Sequence, residues 1–98
     1  MADIEIRRLH DLNWAQAQAL ALAWRDQAQN DWGMTCTYTP GEQQDSLHFE
    51  RPGAKGQLTV NAQDFVLQME LGFLLRAYKR QIAEKINSNL DEALAKLA

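Results

Sequence analysis

The chain is poor in the residues that staple, break or metallate a fold: one cysteine, two prolines, five glycines and two histidines in 98 residues. Cys36 has no partner for an internal disulfide, which predicts a reducing compartment. No Cys-x-x-Cys, His-x-His or His-Glu-x-x-His spacing occurs, so neither a metal nor any other cofactor is expected. So little glycine and proline excludes collagen-like and low-complexity chains, and an apolar share of 46% excludes disorder. No uninterrupted apolar stretch approaches the ~20 residues of a transmembrane helix. The N-terminus lacks the basic-then-apolar pattern of a secretion signal, and the expected location is the cytoplasm. Positive charge is also scarce: ten basic residues face thirteen acidic ones for a net −3, and no nucleic-acid partner is expected. A chain of this length is expected to form a single domain, residues 1–98.

The charge that is present is unevenly placed. Residues 1–50 carry a net −5 and residues 51–98 a net +2. The positive excess gathers in the segment Arg51 to Gly56 and in the run Arg76, Lys79, Arg80, Lys85, where only Glu84 opposes it.

Hydrophobic periodicity divides the chain into seven elements. Ile4 and Ile6 alternate with Asp3, Glu5 and Arg7, which predicts a half-buried strand over 3–9. Asn13 and Gln16 have the spacing of a capping box. From there Trp14, Ala17, Leu20, Ala21, Trp24, Ala28 and Trp32 share one helical face, and Gly33 can end the helix, giving a span of 13–32. Met34, Cys36 and Tyr38 then alternate with threonines in a second strand, which turns at Pro40-Gly41 with a positive φ expected at Gly41. Leu47 and Phe49 mark a third strand, and Leu58 and Val60 a fourth. The breakers between Arg51 and Gly56 read as an irregular hairpin loop. Beyond the turn at Asn61 to Asp64, a fifth strand runs from Phe65 to Leu71. After Gly72 a second helical stripe of Leu75, Tyr78, Ile82, Ile86, Leu90, Ala93 and Leu97 predicts about 25 residues of helix with an overhanging end. Asn89 and Glu92 suggest a kink or restart near residue 88.

The order β-α-β-β-β-β-α with short turns predicts an α+β domain, a five-stranded, mainly antiparallel sheet with both helices on one face. TATA-binding-protein half-domains and helix-grip ligand-binding proteins share that order, but the analogy carries no function. Catalytic chemistry finds little support. His48 falls on the solvent face of the third strand, where Thr37, Thr59 and Glu50 or Glu70 are expected neighbours, and a flat polar face offers no water-excluding pocket. Cys36 faces the core, and the three tryptophans belong to the first helix's buried stripe. The loop from Arg51 to Gly56 sets two glycines beside Arg51 and Lys55, as in an anion-binding nest, but it joins strands and is not a P-loop. Phe73, far from Leu75 around the second helix, and Leu22, at the margin of the first stripe, are expected to be exposed, as contact residues often are. The candidate partner or anion contacts are therefore Arg51, Lys55, Phe73, Arg76, Lys79 and Arg80. Leu90, Leu94 and Leu97 at the overhang add a case for homo-oligomers.

Three segments carry a resemblance that spans nearly the whole chain: Ile4-Glu5-Ile6-Arg7-Arg8-Leu9-His10, His48-Phe49-Glu50-Arg51-Pro52-Gly53-Ala54-Lys55-Gly56-Gln57-Leu58-Thr59-Val60, and Leu71-Gly72-Phe73-Leu74-Leu75-Arg76-Ala77-Tyr78-Lys79. Together they resemble the small bacterial family of polyhydroxyalkanoic acid system proteins, associated with polyhydroxyalkanoate granule gene regions. The extended turn from Thr39 to Asp45 and the Ala/Gln-rich first helix depart from it locally. The resemblance implies a place in storage-polyester metabolism and supplies no catalytic residues. The expectation is a non-enzymatic accessory protein, cytoplasmic or granule-associated, that touches a granule protein, the polymer surface or a second copy of itself. The alternative is a helix-grip module that holds a small acyl or hydroxyacyl compound, with Arg51 and Lys55 or the strip Arg76, Lys79, Arg80 on its anionic head. A third reading, an enzyme acting on 3-hydroxyacyl thioesters, rests only on His48 and its neighbours.

Overall fold

The alternation of apolar and polar residues that begins at Ile4 is realised as strand β1, Ile4–Leu9, with Ile4 and Ile6 buried and Glu5 and Arg7 exposed. The computed structural model describes residues 2–97, the side chain of Leu97 excepted. Helix α1, Trp14–Trp32, opens with the reciprocal capping box. Gln16 N–H donates to Asn13 Oδ1 at 2.8 Å and Asn13 N–H to Gln16 Oε1 at 3.1 Å, so two otherwise orphaned donors are satisfied. The helix ends at Gly33, which sits at φ 63° in the left-handed region. Ala17, Leu20, Ala21, Trp24 and Ala28 form its buried stripe. Leu22 is half-buried, short of the exposure expected of it.

Strands β2 (Thr35–Thr39), β3 (Asp45–Arg51), β4 (Ala54–Val60) and β5 (Asp64–Leu71) form an antiparallel meander, and β1 closes the sheet by pairing with β5, in the order β1-β5-β4-β3-β2. Leu47, Phe49, Leu58, Val60, Phe65, Leu67 and Met69 face the helices, and with Leu20 and Trp24 they make the core. Trp24 meets Phe49 edge-on at a centroid distance of 4.9 Å and Trp32 at 5.6 Å.

The segment Arg51 to Gly56, expected as an irregular loop, is mostly strand. The connection contracts to Pro52-Gly53, with Gly53 at φ 89°, the arrangement that proline and glycine favour at adjacent corners of a tight turn. Gly56 continues β4 opposite Phe49, whose ring occupies the space where a side chain would stand. The positive φ expected at Pro40-Gly41 is absent there, because β2 and β3 are joined by a longer five-residue connection, 40–44.

The C-terminal third departs most from expectation. Phe73 and Leu74 form a turn, not the first residues of a helix. A 3-10 turn follows at Leu75–Tyr78, with both Leu75 N–H and Arg76 N–H donating to Gly72 O at 3.1 Å. The tighter winding of three residues per turn rotates the stripe out of phase and leaves Tyr78 exposed. Helix α2, Lys79–Leu97, then runs without a restart near residue 88. Asn89 turns into the interior rather than capping, and Ile86 and Leu90 are fully covered against α1 and the sheet. Arg8, from the core face of β1, bonds Asn87 at 3.4 Å and pairs with Asp91, which ties α2 to the sheet edge. The expected overhang is thus largely docked. Leu90 and Leu94 pack in the core or against it, and the Leu97 side chain lies outside the described part. Among the described residues no helix is long and apolar enough to cross a membrane.

Candidate functional site

The sheet's second face is open, and its cross-strand register arrays side chains in rows. Glu5, Gln68, Gln57, His48 and Thr37 form one row across all five strands, and Glu70, Lys55, Glu50 and Thr35 the next. Together they line a shallow trough of about 680 Å³. Lys55 reaches Glu70 at 3.6 Å, so the one lysine of this trough is already paired, while Glu5 and Glu50 add acid around it. Such a face repels a polyanion. His48 is opposite Thr37 and Gln57, with Thr59 on the diagonal and Glu50 and Glu70 lining the same trough. His10 is committed to structure. Its Nδ1 accepts from Leu12 N–H at 3.1 Å, which leaves Nε2 to donate to Asn61 O at 3.0 Å, while the ring lies on Phe65.

Arg51 and Lys55 leave opposite faces of the sheet on either side of the Pro52-Gly53 turn, and both border a cleft of about 320 Å³ there. Arg51 ends β3 on the helix side, with Nη1 donating to Trp32 O at 3.0 Å, whereas Lys55 stands on the open face. Outside the Pro52-Gly53 turn the chain between them is paired strand, so the irregular loop expected there is reduced to two residues. Arg51 also borders an apolar slot of about 290 Å³ between the C-terminal end of α1, the inner face of β4 and β5, and α2. Trp32, Met34, Met69, Leu71, Leu75 and Ile86 supply its walls, and Arg51, Lys85 and Asp31 its charged residues. Sequence reasoning named Arg51 but missed the slot. The signal was indirect: two methionines, Met34 and Met69, at inward positions where packing is adaptable.

The third feature is the turn after β5. Phe73 is 87% exposed and Leu74 80%, with Tyr78 at 56% a turn further on. Arg76 lies between Leu74 and Tyr78 in sequence, Lys79 and Arg80 directly follow Tyr78, and all three are exposed. Arg76 approaches Asp3 at 3.5 Å, and Lys79 and Arg80 have no ion-pair partner among the described residues.

A buried cluster that sequence reasoning also missed holds the β2–β3 connection. Asp45 has no exposed surface, and its carboxylate accepts from Tyr38 Oη–H, from Gly41 N–H at 2.9 Å and from Gln18 Nε2–H at 3.0 Å. Burial alone would raise its pKa; the three donors outweigh burial and hold the carboxyl below its usual range. Burial, reinforced by the bond to Asp45, pushes the Tyr38 phenol well above its ordinary value. Asp45 lies at the same parity as Leu47 and Phe49, so its inward orientation could have been read from the alternation. Cys36 is half-buried beside the core, and burial pushes its thiol pKa up, away from a reactive thiolate. Among the described residues no group of three or more His, Cys, Asp or Glu side chains could hold a metal.

Fold and surfaces define a two-layer α+β domain with an open acidic sheet face, an apolar slot under its second helix and an exposed aromatic turn. The chain belongs to the family described as "Putative polyhydroxyalkanoic acid system protein", whose model matches residues 4–94. No curated protein and no solved structure matches it.

Proposed function

We propose that the protein is a non-enzymatic accessory factor of polyhydroxyalkanoate storage that works by contact, docking on the granule surface through Phe73, Leu74 and Tyr78. The observation that carries this reading is the exposure of Phe73 and Leu74 side by side in one tight turn, each more than three-quarters open to water. A small domain that buries Trp24, Phe49 and Phe65 almost completely leaves this pair out. Arg76, Lys79 and Arg80 flank the turn, keep it soluble when free and supply cations for anionic groups at the surface it meets. Membership of a polyhydroxyalkanoic acid system family supports the choice of surface. The contact reading is also supported by the histidines: His10 is occupied on both ring nitrogens, and His48 stands in water on an open face.

Fractionation of polymer-producing cells tests the proposal. The wild-type chain is expected with the granules, and the double variant Phe73→Ser, Leu74→Ser in the soluble fraction with unchanged thermal stability, because neither side chain contributes to the core. A wild-type protein absent from granules and unassociated with any granule protein would overturn it. If granules stripped of their proteins no longer bind the chain while intact granules do, the partner is a granule protein rather than the polymer.

A further inference from the structure

We infer that the slot between α1, the sheet and α2 is a binding site for a short alkanoate, an unbranched acyl chain with a free carboxylate. A half-open cleft of about 290 Å³ lies here beside a core whose central residues are fully covered. Its walls, Trp32, Met34, Met69, Leu71, Leu75 and Ile86, present carbon and sulfur to whatever enters. Its charged residues are not balanced: Arg51 and Lys85 stand against Asp31 alone, so the mouth favours one negative charge. Arg51 is held by its bond to Trp32 O at 3.0 Å, which orients the remaining guanidinium donors without consuming them. Lys85 has no ion-pair partner among the described residues. An apolar body with a single anionic head is the ligand that these two properties select. The volume lies at the lower limit of small-molecule pockets, which suits a short chain. A short 3-hydroxyalkanoate has the same head and body.

The inference stands apart from granule docking, since the slot and the Phe73 turn use different side chains. Titration of the full chain with sodium octanoate below its micellar concentration tests it, read by tryptophan fluorescence, to which Trp32 in the slot contributes, and by calorimetry. Saturable one-to-one binding is expected, weakened by roughly tenfold in Lys85→Gln and in Arg51→Gln, as for loss of a charge-assisted contact. Lys85 is exposed and outside the core, so that variant keeps its fold if Arg51→Gln does not. 1-Octanol, which has the body without the head, is expected to bind at least as weakly as the Lys85→Gln variant binds octanoate. Absence of saturable octanoate binding to the folded wild-type chain overturns the inference. Equal affinity of wild type and Lys85→Gln, or of octanoate and octanol, also overturns it. The Phe73→Ser, Leu74→Ser variant should bind octanoate like wild type, so loss of granule association with retained octanoate binding assigns the two activities to separate sites.

Discussion

Removing the Tyr38 hydroxyl tests how the domain holds a charge in its interior. Asp45 is completely buried, and its carboxylate stays ionised because three donors face it: the Tyr38 hydroxyl, the Gly41 amide at 2.9 Å and the Gln18 amide at 3.0 Å. Tyr38→Phe keeps the ring and deletes one charge-assisted bond, which should cost about 1.5–3 kcal/mol. For a domain of this size that lowers the melting temperature by on the order of 10 °C. Asp45→Asn should cost at least as much, since an amide cannot present acceptors to all three donors. The pH dependence has a definite sign. The Asp45 pKa is depressed below its ordinary 3.8 on folding, so its contribution is present in full above that value and is lost as pH falls through the folded-state value. Urea denaturation followed by tryptophan fluorescence, in a series from pH 7 to pH 3, measures both quantities. Asp45→Asn should flatten the acid limb that wild type shows, and a double-mutant cycle should give coupling between positions 38 and 45. A Tyr38→Phe cost below ~0.5 kcal/mol at pH 7 would refute the account, because a surface substitution does as much.

Three further substitutions probe the packing. Trp24→Ala, which empties the volume between Phe49 and Trp32, should destabilise by roughly 3–5 kcal/mol in the same urea assay, and a loss below about 1 kcal/mol would mean that the ring is not a core element. Gly56→Ala should cost about 1–3 kcal/mol, because a Cβ there would come within 2.7 Å of the Phe49 ring and 2.4 Å of Gln68 O; a neutral melting temperature would contradict this packing. Asn89→Leu, a near-isosteric change that removes a buried amide nitrogen with no bonding partner among the described residues, should raise stability by about 1 kcal/mol, and a lower melting temperature would reveal a partner for that amide.

The sequence made the seven-element order legible because each strand advertises itself by alternation and α1 by both its caps. Ile4 and Ile6, Leu47 and Phe49, and Leu58 and Val60 all point where parity puts them. Two departures have separate physical causes, strand pairing in one case and helix winding in the other. Arg51 to Gly56 reads as loop until β3 and β4 are set side by side, when only Pro52 and Gly53 remain outside the ladder. The stripe from Leu75 onward reads as one helix until the 3-10 turn shifts its phase, and that shift decides the fate of Tyr78. Exposure of Phe73 was legible from its angle, although the reason proved to be a turn and not a helix face. The slot was illegible, since a void is a property of three elements that meet and of none singly.

The position of β1 has a consequence for how the chain is made. The strands β2 to β5 each pair with a neighbour a few residues away, but β1 pairs with β5 alone, Leu9 opposite Asp64 and Ile4 opposite Met69. The N-terminal strand therefore leaves the ribosome long before its partner exists, with Ile4 and Ile6 unpaired in the meantime. Closing so long a loop is entropically costly and slow compared with hairpin formation. The meander and α1 can assemble first, and the pairing of β1, followed by the Arg8 bonds to Asn87 and Asp91, locks the last helix in place. Until β1 pairs, β5 presents an unoccupied edge, and the segment that fills it is the first strand of the domain.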